Sequence, residues 1–191
     1  QRTNKPATNA DRHRLRFFTM LRLDELNSFD RATFVATLGH LFEHSPWVAD
    51  ETWAKRPFRD ARELYAELCA TMRGASPDRQ LALIRAHPDL AGRLAQEQKL
   101  TVESAREQAS AGLTRMTAKE ETMFLTLNQT YRDRFGFPFI ICARLNARDA
   151  IMSAMRSRIG NSSQQEFAAA LAEIEKIAWL RLTDLLAAEL R

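Results

Sequence analysis

The stretch SQQEFAAALAEIEKIAWLRL, Ser163–Leu182, decides the fold. Phe167, Leu171, Ile174, Ile177 and Leu182 recur at three- and four-residue spacing, the period of one helical face. Ser163-Gln-Gln-Glu166 reads as a capping box that starts the helix. No glycine or proline interrupts the next five turns.

The same punctuation repeats upstream. Ser28 is placed to cap a helix carrying Phe34, Val35, Leu38, Leu41 and Phe42. Ser45-Pro46 reads as a cap followed by a first-turn proline. Asp60 opens a stripe of Leu64, Leu68 and Met72 that Gly74 ends, and Ser76-Pro77 opens another with Leu81 and Ile84. Thr101 starts a short helix. Thr117-Ala-Lys-Glu120 is a second capping box, for a helix ending near Gly136. Only FPFIICA, ending at Ala143, has the aromatic and β-branched character of extended chain. These readings predict an all-α, single-domain, irregular helical bundle of about eight helices.

Composition narrows the function. The chain has 191 residues, 45% hydrophobic and 27% charged, enough for one domain with a core of its own. No apolar run approaches the roughly 20 residues of a membrane span. The formal charge of +4 is matched by residues 1–19 alone, where Arg2, Lys5, Arg12, Arg14 and Arg16 face Asp11. Residues 20–191 are therefore close to neutral, which argues against a phosphate-backbone partner. The polar basic segment 1–19 is expected to be a flexible extension, with Met20 a candidate start of the body. Cys69 and Cys142 lie in apolar surroundings without a C-x-x-C pattern, which fits reduced thiols and a cytoplasmic location.

Five features depart from plain amphipathic helix. His40-Leu-Phe-Glu43-His44 matches H-x-x-E-H, an inverted zinc-protease motif, or is the polar side of an amphipathic helix. In AHPDLAGR, 86–93, Pro88 pushes His87 out of the α region and stops the preceding helix. The imidazole then sits at a helix C-terminus, where the dipole favours protonation and a proton-donor role. The alternative is a histidine that only caps carbonyls, with Asp89 capping the next helix. Ser104, Glu107 and Gln108 share one helix face, either a ligand clamp or solvated surface. Gly136 and Pro138 break the chain before Phe139-Ile140-Ile141-Cys142-Ala143, whose backbone either meets a ligand or packs as a buried turn. Arg181, set among Trp179, Leu180 and Leu182, has the planar fork that suits a carboxylate, or with Lys176 is solvated or paired with Glu173, Glu175 and Asp184.

HPDLAG at 87–92, S-x-x-E-Q-x-x-A-G-L at 104–113, FGFPF at 135–139 followed by ICAR, and I-x-x-L-R-L at 177–182 together resemble the OHCU decarboxylases. The likeness runs over roughly residues 21–187 and includes R-P-F at 56–58. These enzymes act on 2-oxo-4-hydroxy-4-carboxy-5-ureidoimidazoline (OHCU) in the urate-to-allantoin pathway. The resemblance implies a carboxy-lyase with His87 as catalytic acid and Glu107 as its partner. It implies substrate contacts from Pro88, Ser104, Gln108, Phe139, Ile140, Ile141, Cys142 and Ala143, and from Arg181 to an anionic or carbonyl group. It also implies an all-α homodimer that needs no metal or organic cofactor, and gives no role to His40 or His44. On this reading CO2 leaves C4 of the substrate, a neighbouring C5 carbonyl holds the electron pair, and His87 protonates C4 to give S-allantoin. A non-catalytic helical module that binds purine-like ligands is the competing class. Turnover separates the two.

Overall fold

The computed structural model describes residues 21–90 and 100–186. The extension expected at 1–19, the end of the HPDLAG stretch and the last residues of the body lie outside the described residues.

Among the described residues the protein is all-α. Two short helices, α1 (Leu23–Ser28) and α2 (Arg31–Leu38), lead into a 3-10 turn at Gly39–Leu41, then α3 (Trp47–Thr52) and a second 3-10 turn at Trp53–Lys55. The longer α4 (Ala61–Gly74) and α5 (Pro77–Ala86) follow. After the undescribed segment come α6 (Val102–Ser110), α7 (Ala118–Phe135), a 3-10 turn at Ala143–Leu145, α8 (Arg148–Arg158) and α9 (Ser163–Leu185). No described helix is long and apolar enough to cross a membrane.

The organiser is α9. Its inward stripe of Ala170, Leu171, Ile174, Ile177, Ala178, Arg181 and Leu182 is buried, and the helix packs on α4, α5 and the 39–41 turn. Fully burying each large aliphatic side chain is worth about 1.5–3 kcal/mol, so this stripe is a main source of cohesion. Of its predicted apolar residues, Phe167 is only partly buried.

Local capping chemistry places most helix starts. Asp60, Ser76, Thr101 and Thr117 each accept a backbone N–H from the first turn, and Thr117 with Glu120 forms the predicted box. Gly136 ends α7 with φ +75°, the left-handed conformation that a side chain would strain. Three starts differ from the sequence reading. Asp30, not Ser28, caps α2, because Ser28 belongs to the last turn of α1 and bonds Glu25 O. Pro46 takes the cap position of α3 with no side-chain cap, while Ser45 is buried beside it. The box on α9 is Ser162 with Gln165, one residue earlier than expected. Glu166 is drawn into a buried cluster instead: it accepts from Arg158, Asn161 and the Tyr131 hydroxyl.

The FPFIICA segment carries no helix between Gly136 and Ala143, as its composition predicts. That cluster pins it. Arg158 donates to Ile140 O at 2.9 Å and lies 4.4 Å over the Phe139 ring, which Tyr131 meets edge-on.

Candidate active site

His87 closes α5 in extended conformation, φ −73° and ψ 140°, as the following proline requires. Its Nδ1 lies 2.9 Å from Leu83 O, one turn back. A carbonyl only accepts, so Nδ1 carries the hydrogen, and Nε2 of a neutral ring keeps its lone pair. Burial pushes the pKa down to about 4; the Leu83 carbonyl and Glu43 oppose this without reversing it. The helix terminus was expected to favour imidazolium. Desolvation of a ring only 7% exposed outweighs it, and His87 is neutral near pH 7.

After His87 the chain is held at Asp89 and Leu90. Gln108 Nε2 donates to Asp89 O, Asn128 Nδ2 donates to Leu90 O, and the Asp89 carboxylate takes Arg132 Nε at 2.8 Å. Asp89 therefore pairs with α7.

The Ser104, Glu107 and Gln108 face of α6 points inward. Ser104 is 5% and Gln108 6% exposed, which excludes solvated surface. The Glu107 carboxylate is held two-pronged by Arg181, Nε to Oε1 and Nη2 to Oε2, both 2.8 Å. The remaining Arg181 donors reach His40 O, Glu43 Oε2 and Ser104 Oγ at 3.1, 3.1 and 3.2 Å. All five N–H groups of the guanidinium thus have partners within the protein. Burial opposes its charge, but Glu107 and Glu43 outweigh that and raise its pKa.

Sequence reasoning missed Glu43 as part of this site. Neither alternative for the 40–44 motif holds. A 3-10 turn ends at Leu41, Phe42 is extended and His44 has φ +47°, so the two histidines do not share an α-helical face. Glu43 is 2% exposed and turned inward, where it accepts Thr101 Oγ1 at 2.8 Å, Ser104 Oγ at 2.9 Å and Arg181. Among the described residues no group of three or more His, Cys, Asp or Glu side chains can hold a metal.

One cavity gathers these parts. Of the eleven positions named from sequence, ten line it: His87, Pro88, Ser104, Glu107, Gln108, Phe139, Ile140, Ile141, Ala143 and Arg181. Leu90 and Ile177, which lie in the quoted HPDLAG and I-x-x-L-R-L motifs but were given no site role, add apolar wall. Cys142 does not line it. Its N–H donates to Glu173 Oε2 at 2.8 Å, its carbonyl accepts from Asn146, and burial raises its thiol pKa. The N–H groups of Ile140, Ile141 and Ala143 have no hydrogen-bond partner among the described residues, though all three residues are buried. Unpartnered backbone donors in residues that line a cavity suit a ligand rich in carbonyls.

The chain is similar to known proteins over most of its length. The family model described as OHCU decarboxylase matches residues 27–183. A protein of Halalkalicoccus jeotgali named 2-oxo-4-hydroxy-4-carboxy-5-ureidoimidazoline decarboxylase is 44% identical over 167 residues, 87% of this chain and 93% of that one. A Haloferax volcanii protein of the same name is 41% identical over 169 residues, 88% and 98% of the two chains. Among solved structures, an (S)-allantoin synthase superposes with TM-score 0.70 at 30% identity, covering 87% of this chain and 54% of that one. The chain belongs to the OHCU decarboxylase family.

Proposed function

We propose that this protein is a carboxy-lyase that converts OHCU to S-allantoin and CO2 in urate degradation. The observation that carries the reading is a buried neutral His87, its Nε2 lone pair available, on one cavity with Glu107 and the unpaired N–H groups of residues 140, 141 and 143.

The substrate's bonding corrects the expected chemistry. In OHCU, C4 bears both the hydroxyl and the carboxylate, and C5 bears the ureido group. C5 is joined to its ring nitrogen by a double bond and is not a carbonyl carbon. When the C4–CO2 bond breaks, its electron pair becomes a C4=C5 bond. The C=N pair moves to the ring nitrogen, which takes a proton from water. The product of that step is an enol. Transfer of the hydroxyl proton to C5 then makes C4 a carbonyl and sets the stereocentre at C5. The proton is needed at C5, not C4.

A neutral His87 suits this better than a standing acid. Its Nε2 accepts the hydroxyl proton and returns it to C5 from the face it occupies. Glu107, fixed by Arg181, accepts N–H groups of the ring or ureido arm. The free N–H groups of Ile140, Ile141 and Ala143 donate to the substrate carbonyls, where charge builds as CO2 leaves. Ser104 and Gln108 hold the polar edge, and Pro88, Phe139 and Ile177 exclude water. The saturated guanidinium favours Arg181 as the residue that presents Glu107, in place of the direct substrate contact that the resemblance implies.

The test is turnover of freshly generated OHCU, followed by the circular dichroism of S-allantoin. His87→Ala and Glu107→Ala are expected to fall to near the spontaneous rate while remaining folded. Wild-type turnover in both would remove the assignment. Binding of purine-like ligands without any optical signal would instead favour the non-catalytic module.

The proposal includes a homodimer in the cytoplasm. Val102 (70% exposed) and Leu145 (59%) lie on elements that pack together and offer apolar surface for self-association. Light scattering is expected to give the mass of two chains.

A further inference from the structure

We propose that Glu43 is a positioning residue of the decarboxylase site, acting through Arg181 and Ser104 to present Glu107 in a single orientation. The inference rests on the decarboxylase reading above.

Four observations carry it. Glu43 is 2% exposed and does not line this cavity but an adjoining hollow behind His87 and Pro88, and its link to Glu107 runs through Arg181. Its two oxygens take three separate donors, Thr101 on Oε1 and both Ser104 and Arg181 on Oε2. Arg181 in turn grips Glu107 with both edges of its fork and touches Ser104 with Nη2. Ser104 and Glu107 line the cavity, and both are tied to Glu43 directly or through one guanidinium.

The geometry explains why a carboxylate is needed at 43. An Arg181 held by Glu107 alone could pivot about that pair, carrying Glu107 with it. A second carboxylate at Nη1 fixes the guanidinium plane. Glutamine keeps the size and one acceptor oxygen, and its NH2 can donate to the Thr101 hydroxyl, so the contacts survive in outline. What the carboxamide cannot supply is charge, and the buried cation loses one of its two counter-charges. Burial opposes ionisation of Glu43, but Arg181, the Thr101 and Ser104 hydroxyls and the nearby His87 outweigh it and hold the carboxyl below its usual range.

The experiment is steady-state turnover of OHCU by Glu43→Gln, Glu107→Asp and the double variant, with melting curves for each. Glu43→Gln is expected to lower kcat by at least about tenfold, as displacement of a positioned group does, with KM changed less than about threefold. In the Glu107→Asp background the same change is expected to cost under about threefold, because the two act on one element. A full tenfold loss in both backgrounds is the pattern of a merely structural residue and would overturn the proposal. So would wild-type kcat in Glu43→Gln while the wild type turns over normally, which leaves the decarboxylase reading intact. No turnover by the wild type overturns both. If Glu43→Gln does not fold, Glu43→Asp, which keeps the charge one methylene short, is expected to melt near wild type with reduced kcat. Unchanged kcat there overturns the proposal.

Discussion

At the residue scale, the state of His87 has a measurable sign. Its pKa of about 4 means that a mechanism needing the neutral ring keeps full kcat/KM above pH 5 and loses it as pH falls through about 4. A standing imidazolium acid would show the reverse, activity falling as pH rises through the same value. A pH profile of kcat/KM between 3.5 and 8, in buffers that spare the fold, distinguishes them. Arg181 supplies a second prediction. Its side chain is 4% exposed and its partners Glu43 and Glu107 are 1% and 12% exposed. Arg181→Met leaves two buried carboxylates without their cation and is expected to cost about 3–5 kcal/mol in urea unfolding. A loss under about 1 kcal/mol would show that water reaches the cluster. His87 was legible because X-Pro chemistry is local. Its charge state was not, because desolvation depends on walls that the sequence does not bring together until the chain folds.

At the element scale, the extended segment after Gly136 depends on α8 and α9 for its shape. Arg158 links Glu166 to Ile140 O and to the Phe139 ring, so the buried cluster and the cavity wall are mechanically joined. Glu166→Ala is expected to lower stability by about 3–5 kcal/mol and to raise KM for OHCU, because the wall loses its tether. A lower melting temperature with unchanged KM would detach the wall from the cluster. Helix starts at Asp60, Ser76, Thr101 and Thr117 could be read from sequence because each cap bonds within its own first turn. At α9 two registers of the same pattern lay side by side, Ser162 with Gln165 and Ser163 with Glu166. Arg158 decided between them, a partner outside the helix. Glu43 was hidden for the same reason. It reads as the polar side of a helix, and its partners Thr101, Ser104 and Arg181, 58 to 138 positions away, show that it faces in.

For the whole molecule, pH links the site to stability. Folded His87 is neutral down to about 4, whereas the unfolded side chain protonates near 6.5. The unfolded state therefore binds more protons in between, and stability is lost as pH falls from 6.5 toward 4. Glu43 and Glu166, held below their usual range, add a further loss as pH falls below about 4.5. Denaturant midpoints at pH 7, 5.5 and 4 should fall in that order, and equal midpoints at 7 and 5.5 would contradict a buried neutral imidazole. The cluster that joins α6, α9 and the 39–41 turn has a different consequence when counted as entropy. Immobilising a long side chain costs up to about 1.5–2 kcal/mol of rotamer freedom. Arg181, Glu43 and Glu107 surrender that freedom when the chain folds, since every guanidinium N–H is already engaged. A substrate reaching this wall has no loose side chains to order. Its contacts there are free to favour the transition state from the moment of binding.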